Sequence, residues 1–353
     1  MKILAICGRE NEYPRNQLIL NILSENHEVT ILNPLPRSKS ILWRSIFGVI
    51  QGIGYLAINK VDLIYIGFYS QLITVLLAPF TKVPMLIDAF ISTYDTVIND
   101  RKTIKAGSFP AKLVHWLDKT ACNSARLIFL DTQIHCEYYS REYHIPIEKF
   151  KRIFASCDQS IFFPLKKTSN GDPIILTYST FLPLHGTRTI LEAASNFPHV
   201  KFKLIGEGPD LSKAKGFVEE NDLNNVNFLP IVPLMDLPKL MADADIFLGG
   251  HFGTSHKAQT VIAAKTFQAL AMALPTIVTE NPANREILGE EFNQLFCEHG
   301  SSISLSNTIQ FLLNNPNKRL ELGQLGYNVF LEKDSRENIA SDVLSAIDIV
   351  HRG

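Results

Sequence analysis

The sequence predicts an α/β protein with two doubly wound domains, and three observations support this. Short apolar runs typical of buried strands alternate with amphipathic segments over nearly the whole chain. The segment Met1–Leu32 already contains a strand, a polar loop, a helix and a second strand, which is how a parallel βαβ unit begins. The length of 353 residues suits two domains that each bury a core of their own.

The predicted elements of the first domain follow in strand and helix order. Each strand is a short apolar run, and each helix spaces its apolar residues at helical intervals. The elements are the strand Met1–Cys7, the helix Tyr13–Glu25, the strand His27–Leu32, an apolar helix within Pro36–Lys60, the strand Val61–Gly67, the short helix Gln71–Ala78, the strand Val83–Phe90, the helix Leu117–Ser124, and the strands Ala125–Asp131 and Lys149–Phe154.

The second domain repeats this pattern after a polar linker. The linker, Leu165–Pro173, contains glycine and proline and shows no apolar period. Pro173–Ala194 then reads as strand, loop and helix, and Val200–Leu211 as a strand that ends in a glycine turn. Asn225–Asp245 gives a short strand, a turn and a helix. We therefore expect a second parallel sheet covered by helices.

Charge, cysteine content and hydropathy argue against several classes of protein. A formal net charge of −1 gives no signal for binding polyanions, so we expect no nucleic-acid partner. The five cysteines form no C-x-x-C pair, which argues against a disulfide framework and a zinc site. Met1–Gly8 is a short strand without a signal-peptide pattern, so we expect a cytoplasmic protein. Leu63–Thr81 is uncharged, but Gly67 and Pro79 interrupt it, which favours a strand and a short helix over a membrane span.

The segment Ile246–Leu288 predicts an anion site because it places a strand, a glycine loop, a helix and a strand in succession. Gly249, Gly250 and Gly253 let the backbone approach a ligand closely. The helix that follows offers unpaired N–H groups to negative charge. Lys265 and Gln268 lie three residues apart and therefore share one face of that helix. This arrangement suits a phosphate or a cluster of sugar hydroxyls.

The sequence KTFQALAMALPTI within this segment resembles the helix-to-strand signature of GT-B glycosyltransferases, particularly glycosyltransferase family four. Gln268 stands where the family has a glutamate that binds the donor ribose, Ala273 replaces a glycine, and the family's other glutamate falls on Thr260. LGGHFGTSHKA, residues 248–258, resembles the loop of one branch of the family more closely. The resemblance implies two Rossmann-like domains facing each other across a cleft. It places them at residues 1–163 and 164–334, with 335–353 as a helix that returns to the first domain.

The resemblance also implies which residues bind a nucleotide-sugar donor. Thr180 and His185 occupy the places of the family's diphosphate-binding arginine and lysine, and STFLPLHG matches the branch-specific form of this loop apart from its first residue. His185 beside a helix start is suited to donate to a phosphate. Glu286 is the remaining acidic residue for a ribose or sugar hydroxyl, although a helix-terminal charge is the alternative. The other implied donor-binding residues are Gly206, Gly208, Gly250, Gly253, Thr254, Lys265 and Gln268, and Lys265 and His185 are also the implied catalytic residues in this domain.

The first domain is implied to hold the acceptor. Asp88, Ser92 and Asp95 follow a buried strand, at the sheet edge where open α/β sheets bind ligands. Asp88 is the candidate catalytic residue here, and Asp95 as a helix cap is the alternative for that residue. Arg9 and Arg15 follow the first strand and suit an anionic acceptor group, although we favour solvated loop residues for both.

The resemblance implies an enzyme of the transferase class, EC 2.4, that moves a sugar from a nucleotide-sugar to a hydroxyl acceptor with retention of configuration and without an essential metal. A role in polysaccharide or glycoconjugate synthesis, with a saccharide or lipid-linked acceptor, would follow. A non-catalytic or regulatory GT-B protein and a GT-B nucleotide-sugar epimerase are the alternatives. Pro36–Lys60 is either a core helix or an amphipathic helix on the inner face of the membrane, and its sequence does not distinguish the two.

Overall fold

The computed structural model of the chain describes residues 1–33, 40–100, 103–169 and 171–352. Two compact units are present. Unit 1 consists of Met1–Phe154 and the last helix from Glu337 onward, and unit 2 is Ala155–Arg336. We expected the first boundary at 163/164. In the structure unit 2 begins at Ala155, and within it Ser156 Oγ donates to the carbonyl of Asp334 at 2.6 Å.

Unit 1 is built on a six-stranded parallel sheet with the order β2-β1-β3-β4-β5-β6. The strands are β1 (Lys2–Cys7), β2 (Glu28–Leu32), β3 (Leu63–Gly67), β4 (Met85–Asp88), β5 (Leu127–Leu130) and β6 (Phe150–Arg152). The helices are α1 (Pro14–Asn26), α2 (Ile41–Ile58), α3 (Ser70–Leu77), α4 (Phe109–Ser124), α5 (Gln133–Tyr143) and α14 (Arg336–Arg352), together with a π-helix at Asp95–Asp100.

Unit 2 carries the second parallel sheet, with the order β12-β11-β10-β7-β8-β9. Its strands are β7 (Ile174–Tyr178), β8 (Lys201–Ile205), β9 (Val226–Leu229), β10 (Ile246–Leu248), β11 (Thr276–Thr279) and β12 (Phe296–Cys297). Its helices are α6 (Thr187–Ala194), α7 (Leu211–Glu220), α8 (Leu237–Ala242), α9 (His256–Thr260), α10 (Ala264–Ala271), α11 (Pro282–Ile287), α12 (Ser302–Asn314) and α13 (Pro316–Lys333).

The inner strands of both sheets are buried on both faces, as the sequence predicts for sheets covered by helices. Every residue of β3, β4, β5 and β11 is buried. The five cysteines are also buried, and all five are free. Parallel strands place their carboxyl ends at one edge of each sheet, so the loops that follow β1, β4, β7 and β10 meet within their own unit. These loops carry most of the predicted site residues.

Helix α2 combines features of a core helix and of an amphipathic surface helix, the two interpretations of the Pro36–Lys60 stretch. Residues 36–39 of that stretch lie outside the described part of the chain. Three of its five buried residues, Ser45, Gly48 and Gly52, are small, which lets the helix pack closely within unit 1. Arg44 is not a basic flank at the surface, because it is buried and pairs with Glu10 at 3.1 Å. The opposite face exposes large apolar side chains. By length and composition, α2 alone among the described helices meets the requirements of a membrane span, which core helices also meet.

Candidate functional site

The glycine loop of unit 2 follows β10 and lies against the turn that follows β7. The backbone N–H of Gly253 donates to the carbonyl of Leu184 at 3.0 Å, and the N–H of Phe252 donates to the carbonyl of His185 at 3.3 Å. A Cβ atom on Gly253 would come within 2.6 Å of the Pro183 carbonyl oxygen, so a larger residue would separate the two segments. The predicted donor residues of both loops therefore come together at this edge.

The helix that follows the glycine loop differs from the predicted one. The helix directly after the loop is the short α9, and the helix that carries Lys265 begins only at Ala264. The N–H groups nearest the glycines therefore do not come from α10. Gly250 packs against β11, where a Cβ would lie 2.9 Å from the Thr279 nitrogen, and Thr254 is exposed.

Lys265 is a buried cation whose hydrogen-bond partners are neutral. Only 5% of the residue is exposed. Its Nζ donates to Thr177 Oγ1 at 2.9 Å and to the Tyr178 carbonyl at 3.2 Å, and neither partner is a carboxylate. Burial lowers the pKa of Lys265 from 10.5 to about 7. This desolvated ammonium group has no counter-ion among the described residues, and an incoming anion would supply one.

His185 lies beside this cation and has a defined tautomer. The N–H of Leu182 donates to His185 Nδ1 at 3.1 Å, so the proton of the neutral ring must be on Nε2. Burial, followed by the charges of Lys265 and Lys257, lowers the pKa of His185 to about 3. The imidazole is therefore a neutral N–H donor at physiological pH.

Gln268 reaches the same strand end as Lys265. The hydroxyl of Tyr178 donates to Gln268 Oε1, and the carbonyl of Tyr178 accepts from Lys265. The two side chains thus share a face of α10, as their spacing predicts. Because its carbonyl oxygen is occupied by Tyr178, Gln268 has its amide N–H groups left for a ligand.

The remaining predicted donor residues lie at other points of unit 2. Gly206 has a φ of 130° and a Cβ on it would lie 2.0 Å from the Ser179 carbonyl oxygen, so this turn requires glycine. Gly208 packs in the same way on the carbonyl of Thr180, whose side chain is exposed. Glu286 lies on α11 and is partly buried. The role of each as a donor contact stays a prediction.

In unit 1, Arg15 and Asp88 form a buried ion pair. Arg15 Nε donates to Asp88 Oδ2 at 2.7 Å, and Nη1 donates to the carbonyls of Ile153 and Phe154 at 3.0 and 3.2 Å. Arg15 is 3% exposed, so the interpretation of it as a solvated loop residue is wrong. Burial raises the pKa of Asp88, and the neighbouring Arg15 opposes that rise. Asp88 Oδ1 and Arg15 Nη2 have no hydrogen-bond partner among the described residues.

A second buried pair lies on the neighbouring strand. Asp131 Oδ1 and His135 Nδ1 are 2.6 Å apart, and Thr132 caps α5 between them. Asp88 is the register partner of Phe129, two residues before Asp131, so the strand alternation points both carboxylates to one face of the sheet. The charge of Asp131 acts on both Arg15 and Asp88. These four side chains form one polar cluster at the carboxyl edge.

The other predicted acceptor-side residues have different surroundings. Ser92 is buried and its hydroxyl donates to Asp118 at 2.9 Å, so its donor is already used inside unit 1. Asp95 starts the π-helix; its backbone N–H donates to Ser92 Oγ at 2.9 Å, and its Oδ1 accepts from Asn99 Nδ2 at 2.6 Å. Arg9 is partly exposed and bonds Glu10 at 3.1 Å, which agrees with a solvated loop residue.

Three functional candidates were missed by sequence reasoning. Tyr178 holds Gln268, and His251 stacks on His185 with ring centroids 5.5 Å apart and an interplanar angle of 27°. The pair Asp131–His135 was not selected either. Its i, i+4 spacing at a capped helix start is the signal that could have revealed it. Nothing comparable in the sequence marks the other two, because their partners are distant along the chain.

Comparisons with known proteins agree with this arrangement. Residues 159–329 match the family described as glycosyl transferases group 1. Spore coat protein SA of Bacillus subtilis (strain 168) is 22% identical over 227 residues, which cover 57% of this chain and 59% of that protein. The chain spans about half the length of the curated relatives it matches. Residues 159–329, which match the family of group 1 glycosyl transferases, contain the glycine loop, His185 and Lys265.

Solved structures are similar over almost the whole chain. Sucrose-phosphate synthase from Thermosynechococcus elongatus has a TM-score of 0.79 at 16% identity, covering 99% of each chain. Anabaena Alr3699/HepE in complex with UDP-glucose has a TM-score of 0.73 at 16% identity, covering 99% of this chain and all of that one. Together with the two parallel six-stranded sheets, this confirms the predicted α/β architecture. The chain has the GT-B fold, and its second unit carries a domain that matches the glycosyl transferases of group 1.

Proposed function

We propose that this protein is a glycosyltransferase, within family four, that transfers a sugar from a nucleotide-sugar to a hydroxyl acceptor with retention of configuration. The observation that carries the proposal is Lys265, a buried ammonium group with neutral partners beside a glycine loop. A nucleoside diphosphate supplies the missing negative charge. The match to group 1 glycosyl transferases and the fold shared with a structure that contains UDP-glucose favour the same donor class.

The reaction needs stabilisation of the leaving diphosphate. When the bond between the anomeric carbon and the phosphate oxygen breaks, the electron pair stays on that oxygen, and Lys265, His185 Nε2–H and the backbone N–H groups of the glycine loop are suited to stabilise it. The acceptor oxygen bonds to the same face of the anomeric carbon. The acceptor proton passes to an oxygen of the leaving phosphate, so no protein base is required.

Unit 1 is the proposed acceptor-binding unit. Asp88 Oδ1 and Arg15 Nη2 are a buried acceptor and a buried donor that lack partners among the described residues, which suits recognition of a hydroxyl group after a small local opening. A saccharide or lipid-linked alcohol fits this chemistry, and polysaccharide or glycoconjugate synthesis is the proposed context. We propose no essential metal, because Lys265 already supplies positive charge to the diphosphate.

The exposed apolar surface of unit 1 supports a proposal that the protein contacts a membrane from the cytoplasmic side. Helix α3 packs against both α2 and α4, so their outward faces adjoin. Exposed Lys60, Lys82 and Lys112 add positive charge near these helices. The exposed apolar side chains are Leu42, Trp43, Phe47, Ile50 and Ile58 on α2, Leu76 on α3, Phe80 just after it, and Phe109, Leu113 and Trp116 on α4. Aromatic residues among lysines suit the interface of an anionic membrane.

Incubation with a panel of nucleotide sugars tests the transferase proposal. We expect binding and slow donor hydrolysis with one or a few donors, and transfer once a suitable acceptor is added. Interconversion of the donor to another nucleotide sugar would instead support an epimerase, and binding without turnover would support a regulatory protein. Neither alternative is favoured by the comparisons. Lys265→Met serves as the control that should lose donor binding, and failure of the wild-type protein to bind any donor would contradict the proposal.

A further inference from the structure

The loop between β10 and α9 contains a second imidazole that sequence reasoning did not select. His251 is the first side chain of the loop after Gly250 and lies flat against His185, 5.5 Å between ring centroids. Its backbone is fixed because Thr279 Oγ1 donates to the His251 carbonyl at 3.2 Å. His251 Nδ1 is buried and has no hydrogen-bond partner among the described residues. A buried nitrogen of this kind is rare unless something outside the chain satisfies it.

The charged and titratable groups with the largest effect on His251 are basic. They are His185 from the turn after β7, Lys257 from α9, Lys265 from α10 and His299 from the loop after β12. Burial and these neighbours lower the pKa of His251 well below its ordinary value. The ring therefore stays neutral and keeps one N–H donor. Several basic side chains from separate elements, gathered around a glycine loop, have the composition of a site for a polyanion.

His299 has a different role from the stacked pair. Its Nδ1 lies 3.1 Å from the Gly253 carbonyl, which only accepts, so the proton of the neutral ring is on Nδ1 and already used. In that tautomer Nε2 is an acceptor, and it is buried without a hydrogen-bond partner among the described residues. His299 holds the loop, whereas the proton on His185 Nε2 has no partner among the described residues.

We propose that His251 is a binding residue for the diphosphate of the donor, where it and His185 act as a stacked pair of neutral N–H donors beside the cation of Lys265. This inference rests on the proposed nucleotide-sugar function and extends it. Lys265 would neutralise the charge of the diphosphate, and the two imidazoles would orient the diphosphate by hydrogen bonds. Two flat donors fixed at one spacing would select a diphosphate over a single phosphate, because each ring can serve one phosphoryl group.

Two variants of His251 separate a nitrogen contact from simple packing. His251→Phe keeps a flat ring against His185 but removes both nitrogens, and His251→Asn keeps an amide N–H near the position of Nδ1. Calorimetric titration with UDP, GDP, ADP and dTDP identifies the nucleotide that binds. We expect His251→Phe to weaken its binding about tenfold, as for loss of one hydrogen bond to a charged group. We expect His251→Asn to stay within about threefold of wild type. His199→Phe, an exposed histidine of the same unit, is the matched control and should bind normally.

Imidazole nitrogen NMR of the wild-type protein tests the same contact without a substitution. Saturation with the bound nucleoside diphosphate should shift a nitrogen signal of His251, assigned by its absence in His251→Asn, while the ring stays neutral. An unchanged signal together with wild-type affinity in His251→Phe would overturn the assignment and leave the glycosyltransferase proposal standing. A His251→Asn variant as weak as His251→Phe, with both folded, would show that ring shape matters and not an N–H donor. If the wild-type protein binds none of the four diphosphates, the proposed function fails and this inference fails with it.

Discussion

Replacing Lys265 by methionine should stabilise the folded protein and weaken its binding of the nucleotide-sugar donor. The ammonium group is buried without a carboxylate, and its pKa falls from 10.5 to about 7. At 1.36 kcal/mol per pH unit, this shift lowers the stability of the folded state at pH 7, where the folded group is half deprotonated, by about 4 kcal/mol. Methionine has a similar length and removes this cost, but it also removes the hydrogen bonds to Thr177 and Tyr178. At about 1 kcal/mol for each bond, the net gain is about 2 kcal/mol.

The pH dependence of stability distinguishes this explanation from a packing effect. Between pH 7 and 10.5 the unfolded chain binds more protons at Lys265 than the folded chain does, so wild-type stability should rise with pH in this window. The destabilising contribution is complete below pH 7 and absent above 10.5. From pH 6.5 to 9 the gain attributable to this group is about 2 to 3 kcal/mol. Lys265→Met should lack that gain.

Calorimetric unfolding at pH 6.5 and 9, with and without the bound nucleoside diphosphate, measures both effects. We expect Lys265→Met to melt about 4 to 8 °C above wild type at pH 6.5 and by a smaller margin at pH 9. Its affinity for the diphosphate should fall at least about tenfold, since a charge-assisted contact is lost. Lys215→Met, at an exposed position of the same unit, is the control. A variant that is less stable than wild type at pH 6.5, with an unchanged pH slope, would refute the reasoning.

Three further outcomes are expected. Gln268→Glu should tighten donor binding by about 1 kcal/mol, because a carboxylate accepts from the ribose hydroxyls even while Tyr178 donates to it. Gln310→Glu is the control, and weaker donor binding by Gln268→Glu would contradict the ribose contact. The double variant Trp43→Ser, Phe47→Ser should abolish flotation with anionic vesicles at low salt, whereas Ile303→Ser in unit 2 should not; absence of flotation in wild type would remove the membrane proposal. Donor hydrolysis should continue in EDTA, and a loss that Mg²⁺ or Mn²⁺ restores would show that a metal is needed.

The sequence predicted the strands well because buried parallel strands are short apolar runs, but the prediction left out the first turns of α4 and the whole of α11. α4 begins at Phe109 and not near Leu117, and α11 is a short helix that was not among the predicted elements. In each case a side chain caps the helix and proline stands within its first turn: Ser108 Oγ accepts from the Ala111 N–H, and Asn281 Oδ1 accepts from the Asn284 N–H. The predicted elements leave out both of these capped first turns, although proline is favoured in the first turn of a helix.

Prediction from the sequence is more limited at the site, because the behaviour of a charged residue there depends on which groups its side chain contacts. Arg15 and Asp88 were both selected, yet they are separated by 73 residues and nothing in the sequence shows that they neutralise each other. Lys265 was selected because its spacing from Gln268 places both residues on one face of a helix. That spacing does not show whether the side chain is buried. Its partners, Thr177 and the Tyr178 carbonyl, are neutral, and this makes the charge costly in the empty protein. An anion that binds beside Lys265 removes that cost, so the same buried charge that lowers stability is available to favour a diphosphate over a neutral ligand.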